Sequence, residues 1–397
     1  MRAGKSRRAP GKSRGAGRVT MPSPACELPV DVLLEIALRA GFATVLRCGA
    51  TCKSLRRAIH SPDFARRVSS HRGGVLPPSR LLCFVDSADG TFSLAHPAAA
   101  PAAASLVEDL LAPFVSRSAG DLLTQYEPVA SRGGLLLLER KAAIVTERLL
   151  SPEICVYDPM TGGRAFLPYP PDIARDHCTY ALLTAGDGIA CSFQLLAVDT
   201  WDLGYLSPFR VQAGHALLGR GNFTVVLDRV VHWLISNADH ILTYDAGASA
   251  AVASIKLPKD LLPDEWKAGE SCLGSSPDGR LTMMYVTQRF IVSVLVRSAG
   301  GDWARHMEVD TRATVWSLMT PPWVRDMHRP LWLDLESSGD QRSGAVLIRL
   351  LVIGDQDQEQ LLVLDMETKQ IRGIGDKQCG VTYEVDLVSR LSDTPRL

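Results

Sequence analysis

The chain has 397 residues, 46% of them apolar and 22% charged, with 43 basic side chains against 43 acidic. A chain of this length and balance can bury a sizeable core as two or three domains. No run reaches the ~18 consecutive apolar residues of a membrane-spanning helix, because Leu135–Leu138 is stopped by Glu139 and Val346–Ile353 is broken by Arg349, so an integral membrane protein is excluded. Nine cysteines without a CxxC pair, and no long apolar stretch behind the N-terminal charges, fit a reducing compartment, nucleus or cytoplasm, better than a disulfide framework.

Residues 1–24 read as a disordered basic tail. Arg2, Lys5, Arg7, Arg8, Lys12, Arg14 and Arg18 have no acid among the first 20 residues, which leaves 36 basic against 43 acidic in the rest, a formal −7. Gly, Ala and Ser between the charges supply too little apolar surface to fold. A nuclear address, a nucleic-acid contact and a transit peptide share this composition. The acidic remainder argues against nucleic acid as the main partner.

From Leu28 the pattern becomes helical. Val32, Leu33, Ile36, Ala37 and Ala40 recur at helical spacing, and Pro29 and Asp31 suit a first turn, which predicts a helix over about 30–39. Gly41 stops it, Thr44 opens a second helix carrying Val45, Leu46, Cys48 and Ala50, and a third runs from about Cys52 to Ile59 before Ser61-Pro62. Three helices in under 40 residues have too little core to be robust alone.

The ordered series Leu28-Pro29, Leu33, Ile36, Leu46, Cys52-Lys53, Ile59 and Ser61-Pro62-x-Phe64 resembles an F-box, here bounded at 25–68, with Thr51 in place of the usual aliphatic residue and Leu55 in place of the usual tryptophan. The resemblance implies docking onto the Skp adaptor, and through it cullin and RING subunits, of a ubiquitin ligase. It assigns the adaptor-facing role to Leu28, Pro29, Leu33, Ile36, Leu46, Cys52, Lys53 and Leu55, and leaves the rest of the chain to capture a protein substrate.

Beyond residue 70 the apolar period shifts towards that of strands. Candidate strands are 81–85, 134–138, 154–157, 180–184, 189–198, 223–227, 230–235, 241–244, 281–286, 290–296, 345–353, 361–364 and 381–385, with one or two helical turns over Leu106–Leu111. A weak repeat, a strand ending in Tyr-Asp or Leu-Asp followed by a turn, places Asp158, Asp245 and Asp365 apart by 87 and 120 residues. Read as two and three repeats of about 40–45 residues, this predicts a β-propeller over 71–397 with about seven blades. The segments 230–245 and 156–163 resemble the kelch-like domains that follow F-boxes in large plant families. The expected fold class is therefore α plus all-β: a small three-helix F-box, then a kelch-like propeller.

The common catalytic patterns are missing from the sequence. There is no GxxxxGK[ST], no GxSxG and no HExxH, and Gly219-Arg220-Gly221 leads into a strand instead of a helix. Asp176-His177-Cys178 holds a base and a thiol, but neighbours on a strand face opposite ways. No catalytic residue, metal ligand or cofactor is therefore assigned, and the chain reads as a non-catalytic receptor. Trp201, Tyr205, Trp316, Trp323 and Trp332, in or beside loops, are candidate substrate anchors. The alternative is a binding scaffold whose F-box-like helices no longer engage the adaptor.

Overall fold

The computed structural model describes residues 28–39, 44–45, 48, 53–59, 61, 63–64, 67, 80–86, 92–94, 106–141, 154–170, 178–184, 187, 189, 193–199, 224–234, 240–247, 252–264, 266, 271–276, 278–287, 289–318, 331–336, 345–352, 358–366, 368–375 and 380–386. The basic tail, Leu46, Cys52, the Asp176-His177 pair, Trp201, Tyr205 and Trp323 lie outside them.

Helix α1 spans Val30–Arg39 and α2 spans Lys53–Ile59. The Pro29 carbonyl accepts from the Val32 and Leu33 amides at 3.0 and 3.1 Å, which starts α1 on the residue whose ring cannot continue a helix backwards. Ser61 closes the other end of the pair: its hydroxyl donates to the Ala58 carbonyl at 2.7 Å and accepts from the Phe64 amide at 3.2 Å.

The remainder is mostly β. Strands β1 (Arg80–Asp86) and β2 (Phe92–Leu94) are followed by one wide helical turn over Leu106–Leu111 and by α3 (Ala112–Gln125). Four antiparallel meanders follow in chain order: β3 (Tyr126–Arg132), β4 (Leu135–Arg140), β5 (Ile154–Tyr157) and β6 (Arg164–Leu167); then, after the two-stranded ladder β7 (Cys178–Thr184) with β8 (Phe193–Asp199), β9 (Thr224–Leu227), β10 (Val230–Leu234), β11 (His240–Asp245) and β12 (Val252–Lys256). The third is β13 (Ser271–Ser275), β14 (Leu281–Val286), β15 (Ile291–Arg297) and β16 (Trp303–Asp310), which leads into the short helix α4 (Arg312–Leu318). The fourth is β17 (Leu331–Glu336), β18 (Ala345–Val352), β19 (Gln358–Asp365) and β20 (Ile371–Gly375). Strand β21 (Gly380–Asp386) then returns to pair antiparallel with β1, from Arg80 opposite Asp386 to Asp86 opposite Gly380.

Successive sheets meet through their inner strands β21, β3, β7, β9, β13 and β17, which is a propeller-like arrangement. It has four four-stranded blades among the described residues, with a three-stranded and a two-stranded sheet beside them, and not the predicted seven. The overcount has an identifiable cause. Asp158, Asp245 and Asp365 do sit at equivalent places, the exits of the third strands β5, β11 and β19, where Asp158 accepts from the Met160 amide, Asp245 from the Gly247 amide and Asp365 from the Thr368 amide. The 120 residues from Asp245 to Asp365 are two sheet steps, not three, because α4 and the connection behind it lengthen the intervening repeat.

Most inner and middle strands are buried on both faces, which explains their near-continuous apolar runs. In β4, Leu135 and Leu137 pack towards the β7–β8 ladder while Leu136 and Leu138 pack towards α3 and β21. In β18, Val346, Ile348 and Leu350 face the preceding blade while Ala345 and Leu347 face the other way.

The hairpin between β3 and β4 turns on Gly133 and Gly134, both with positive φ (56° and 79°), as a two-residue turn of that hand requires. A Cβ on Gly133 would lie 2.8 Å from the Thr184 hydroxyl of the next sheet. Gly133→Ala is expected to cost about 1–3 kcal/mol, read as a shift in urea midpoint, from that clash and the strained φ together.

Candidate functional site

Helix α1 carries two apolar faces. Leu34, Ala37 and Leu38 are buried, and Val30 and Leu33 half-buried, against the chain's own core. The residues read at helical spacing from the sequence thus divide between two faces, with Leu33 and Ala37 inward and Val32 and Ile36 outward. Val32 and Ile36, one helical turn apart on α1, are 42% and 52% exposed along one side of it, and Leu28, two residues before the helix, is 47% exposed. The other large exposed hydrophobics among the described residues, Phe166, Val252 and Trp316, lie singly on different elements. A single exposed apolar residue is ordinary, whereas a stacked stripe is a surface prepared for a partner.

The rim of the stripe is charged and braced. Glu35 accepts from Arg67 at 2.7 Å and from Arg39 at 3.1 Å, and these bonds hold its carboxyl below the usual carboxylate range. The Arg67 bond ties the segment beyond α2 back to α1. Pro29 and Lys53 are exposed at the starts of α1 and α2. Leu55 is not on this surface: it is 8% exposed and packs into the core.

Of the five aromatic candidates in the β region, Trp316 has a described side chain, 47% exposed on α4. Its neighbour Val315 is buried between blades, and the Thr311 amide and hydroxyl both donate to the Phe290 carbonyl, at 3.0 and 2.7 Å, pinning the start of α4. Trp332 lies on β17 with its side chain outside the described residues. Val32 was missed as a surface residue; the signal that could have found it is the four-residue spacing of 28, 32 and 36.

Arg132 and Asp187 form a buried ion pair in the β region. Arg132, at the end of β3, donates to both Asp187 oxygens, at 2.9 Å from Nε and also from a terminal nitrogen, and reaches the Val226 carbonyl of β9 at 2.8 Å. Asp187 also accepts from the Thr184 amide at 2.8 Å and its hydroxyl at 3.2 Å. Burial pulls the His232 imidazole down to about 4 and pushes the Cys155 thiol up to about 11, so neither is poised for proton transfer or nucleophilic attack near neutral pH. Among the described residues no three His, Cys, Asp or Glu side chains converge as metal ligands, and no helix is long and apolar enough to cross a membrane.

Comparison with known families fits this division. Residues 92–393 match the model of a domain of unknown function, DUF7595, over most of the chain. The chain belongs to the DUF7595 family. In this member an F-box-like domain precedes the family domain, matching residues 25–71 and thus containing the stripe of α1. No curated protein matches the sequence. Among solved structures, a DUF4784 family protein from Bacteroides caccae aligns at TM-score 0.31 and 10% identity over 79% of this chain and 75% of its own. A candidate 6-phosphogluconolactonase from Bacteroides uniformis aligns at TM-score 0.29 and 12% identity over 76% and 84%. Likeness at that level carries no argument about the DUF7595 chain's chemistry.

Proposed function

We propose that the chain is a substrate-recognition subunit of a Skp-cullin-F-box ubiquitin ligase, docking the Skp adaptor through the F-box at 25–68 and capturing a protein through the β region at 71–397. The observation that carries this reading is the exposed stripe Leu28, Val32 and Ile36 inside an F-box-like domain. Each aliphatic side chain fully removed from water contributes about 1.5–3 kcal/mol, while association costs about 4–15 kcal/mol, so several must be covered together. Pro29, Leu33, Lys53 and the residues around Leu46 and Cys52 are the further candidates for that contact. Leu55 acts from inside, by holding α2 in place.

In this reading the chain does no bond chemistry. It raises the local concentration of a captured protein near a ubiquitin-charged enzyme held at the RING end of the assembly. Trp316, rigidly presented on α4 and half exposed, is the best supported of the substrate anchors. Cullin and RING subunits are reached only through the adaptor.

The second reading, a scaffold that does not enter a ligase, draws on Thr51 and Leu55, which stand in place of the usual aliphatic residue and tryptophan of an F-box, and on the burial of Leu55. One experiment separates the two: co-purification of the full chain with the Skp adaptor, set beside the variant Leu28→Ala/Pro29→Ala/Ile36→Ala. The ligase reading expects stoichiometric binding by the wild type and its loss in the variant with folding intact by circular dichroism. Absence of binding by the wild type rejects it in favour of the scaffold.

A further inference from the structure

The inner face of α1 does not belong to a separate bundle. Leu34 and Leu38 of α1, Leu55 of α2 and Phe64 lie in one continuous buried core with Val115 of α3, Tyr157 of β5, and Tyr383 and Val385 of β21. The helices between residues 30 and 64 thus share one buried cluster with β21, the strand that pairs the end of the β region with its beginning. Strand β21 is itself held on two sides. It pairs with β1 over seven residues, and it is fastened to the first hairpin of the neighbouring blade by the Tyr383 hydroxyl donating to the Gly134 carbonyl and the Gly134 amide donating to the Glu384 carbonyl, both at 3.1 Å. Helix α3, whose Val115 and Ala119 lie in the same cluster, is fastened to the first blade, with the Ser118 and Tyr157 hydroxyls 3.1 Å apart and Arg164 of β6 donating to the Ser118 carbonyl.

We propose that the docking stripe is conformationally coupled to ring closure: α1 is held in its docking form only while β21 is seated, so adaptor affinity reports whether the β region is closed. The adaptor half of this statement rests on the function proposed above; the coupling itself does not. The physical basis is the small size of the helical part. With too few apolar side chains for a core of its own, it draws its order from the shared one, and unseating Tyr383 and Val385 removes a wall of that core. A protein captured on the β region and bearing on β21 would then change adaptor affinity by the same factor as the adaptor changes its own capture, since the linkage is reciprocal.

Hydrogen exchange of the full chain, followed by mass spectrometry, tests this. Tyr383→Ala is expected to speed exchange of the α1 amides (30–39) by about tenfold or more together with those of β21, and to weaken adaptor binding by a similar factor, although no stripe residue is touched. Val385→Ala, a smaller loss, should move both readouts the same way to a lesser degree and decides the matter if Tyr383→Ala does not fold. Leu350→Ala, in the core between the third and fourth meanders, is the control and should leave α1 protected. Unchanged α1 exchange in variants whose β21 exchange has risen overturns the coupling, as does equal acceleration by Leu350→Ala. If the wild type binds no adaptor while α1 exchange still follows Tyr383, the ligase reading falls and the coupling stands.

Discussion

Replacing Asp187 by alanine is expected to lower the unfolding free energy by about 3–5 kcal/mol, because it strands the Arg132 guanidinium in a site where its side chain is 5% exposed. The loss is larger than for an ordinary ion pair. Arg132 and Asp187 join three successive sheets, since the arginine stands on β3, the aspartate follows β7, and the third bond goes to the Val226 carbonyl on β9. Urea denaturation at neutral pH measures it. The same pair predicts a pH dependence. Burial alone would raise the Asp187 carboxyl, but the hydrogen bonds and charge of Arg132, with the Thr184 amide and hydroxyl, outweigh it and hold the group below its ordinary value. Its contribution is therefore present above the unfolded pKa of about 3.9 and is lost as pH falls through the lower folded value. Asp187→Asn should flatten the acid limb of a stability-against-pH curve, and an unaltered limb would show that other carboxylates govern acid unfolding.

Phe64→Ala is expected to cost about 3–5 kcal/mol, the range for emptying a buried phenylalanine site. Phe64 is 2% exposed, and the cavity would open in the buried cluster that the helices share with the β region. The form of the transition is the informative part. A shared core predicts one unfolding transition, displaced as a whole in the variant and coincident by tryptophan fluorescence and far-ultraviolet circular dichroism. An independent F-box would give an early helical transition that leaves the β signal where it was.

Much of the architecture was legible because the middle strands are buried on both sides. Leu135–Leu138, Leu281–Val286, Ala345–Val352 and Leu361–Leu364 are apolar at almost every position, and such runs can be seen without knowing their neighbours. The outer strands were harder. β12 (Val-Ala-Ser-Ile-Lys) and β16 (Trp303–Asp310) face solvent along much of their length, and their sequences resemble turns and loops. The inner strands β3 and β13 carry Glu127, Pro128, Ser131 and Gly274, residues that a pattern search discounts, yet their order comes from neighbouring sheets. Helix α3 was missed, because Ser116, Arg117, Ser118 and Gly120 dilute its apolar stripe of Val115, Ala119, Leu122 and Leu123; the helical turns expected over Leu106–Leu111 are those that precede it.

The exposed side of α1 was hard to assign for a related reason. Helical spacing identifies apolar positions but does not say which of two stripes a protein keeps for itself. The series 34, 37, 38 and the pair 32 and 36 are equally regular, and only the burial of the first in the folded core assigns it inward. Nothing in the spacing of Leu55 separates a residue that meets a partner from one that supports the helix beneath it.

The pairing of β1 with β21 has a topological consequence. Arg80 and Asp386 are opposite one another on adjacent strands, separated by about 5 Å. The two ends of the β region are therefore neighbours, and the order in which its sheets follow along the chain is almost arbitrary with respect to the assembled ring. A short bridge from 386 to 80, with the backbone opened instead at the exposed turn 298–302, would preserve every ladder while moving the point of entry to the other side of the molecule. The sheets would tolerate that rearrangement; the helices would not, because their buried side chains belong to the one cluster that also holds Tyr383 and Val385 of β21, and that shared core gives the chain a front and a back.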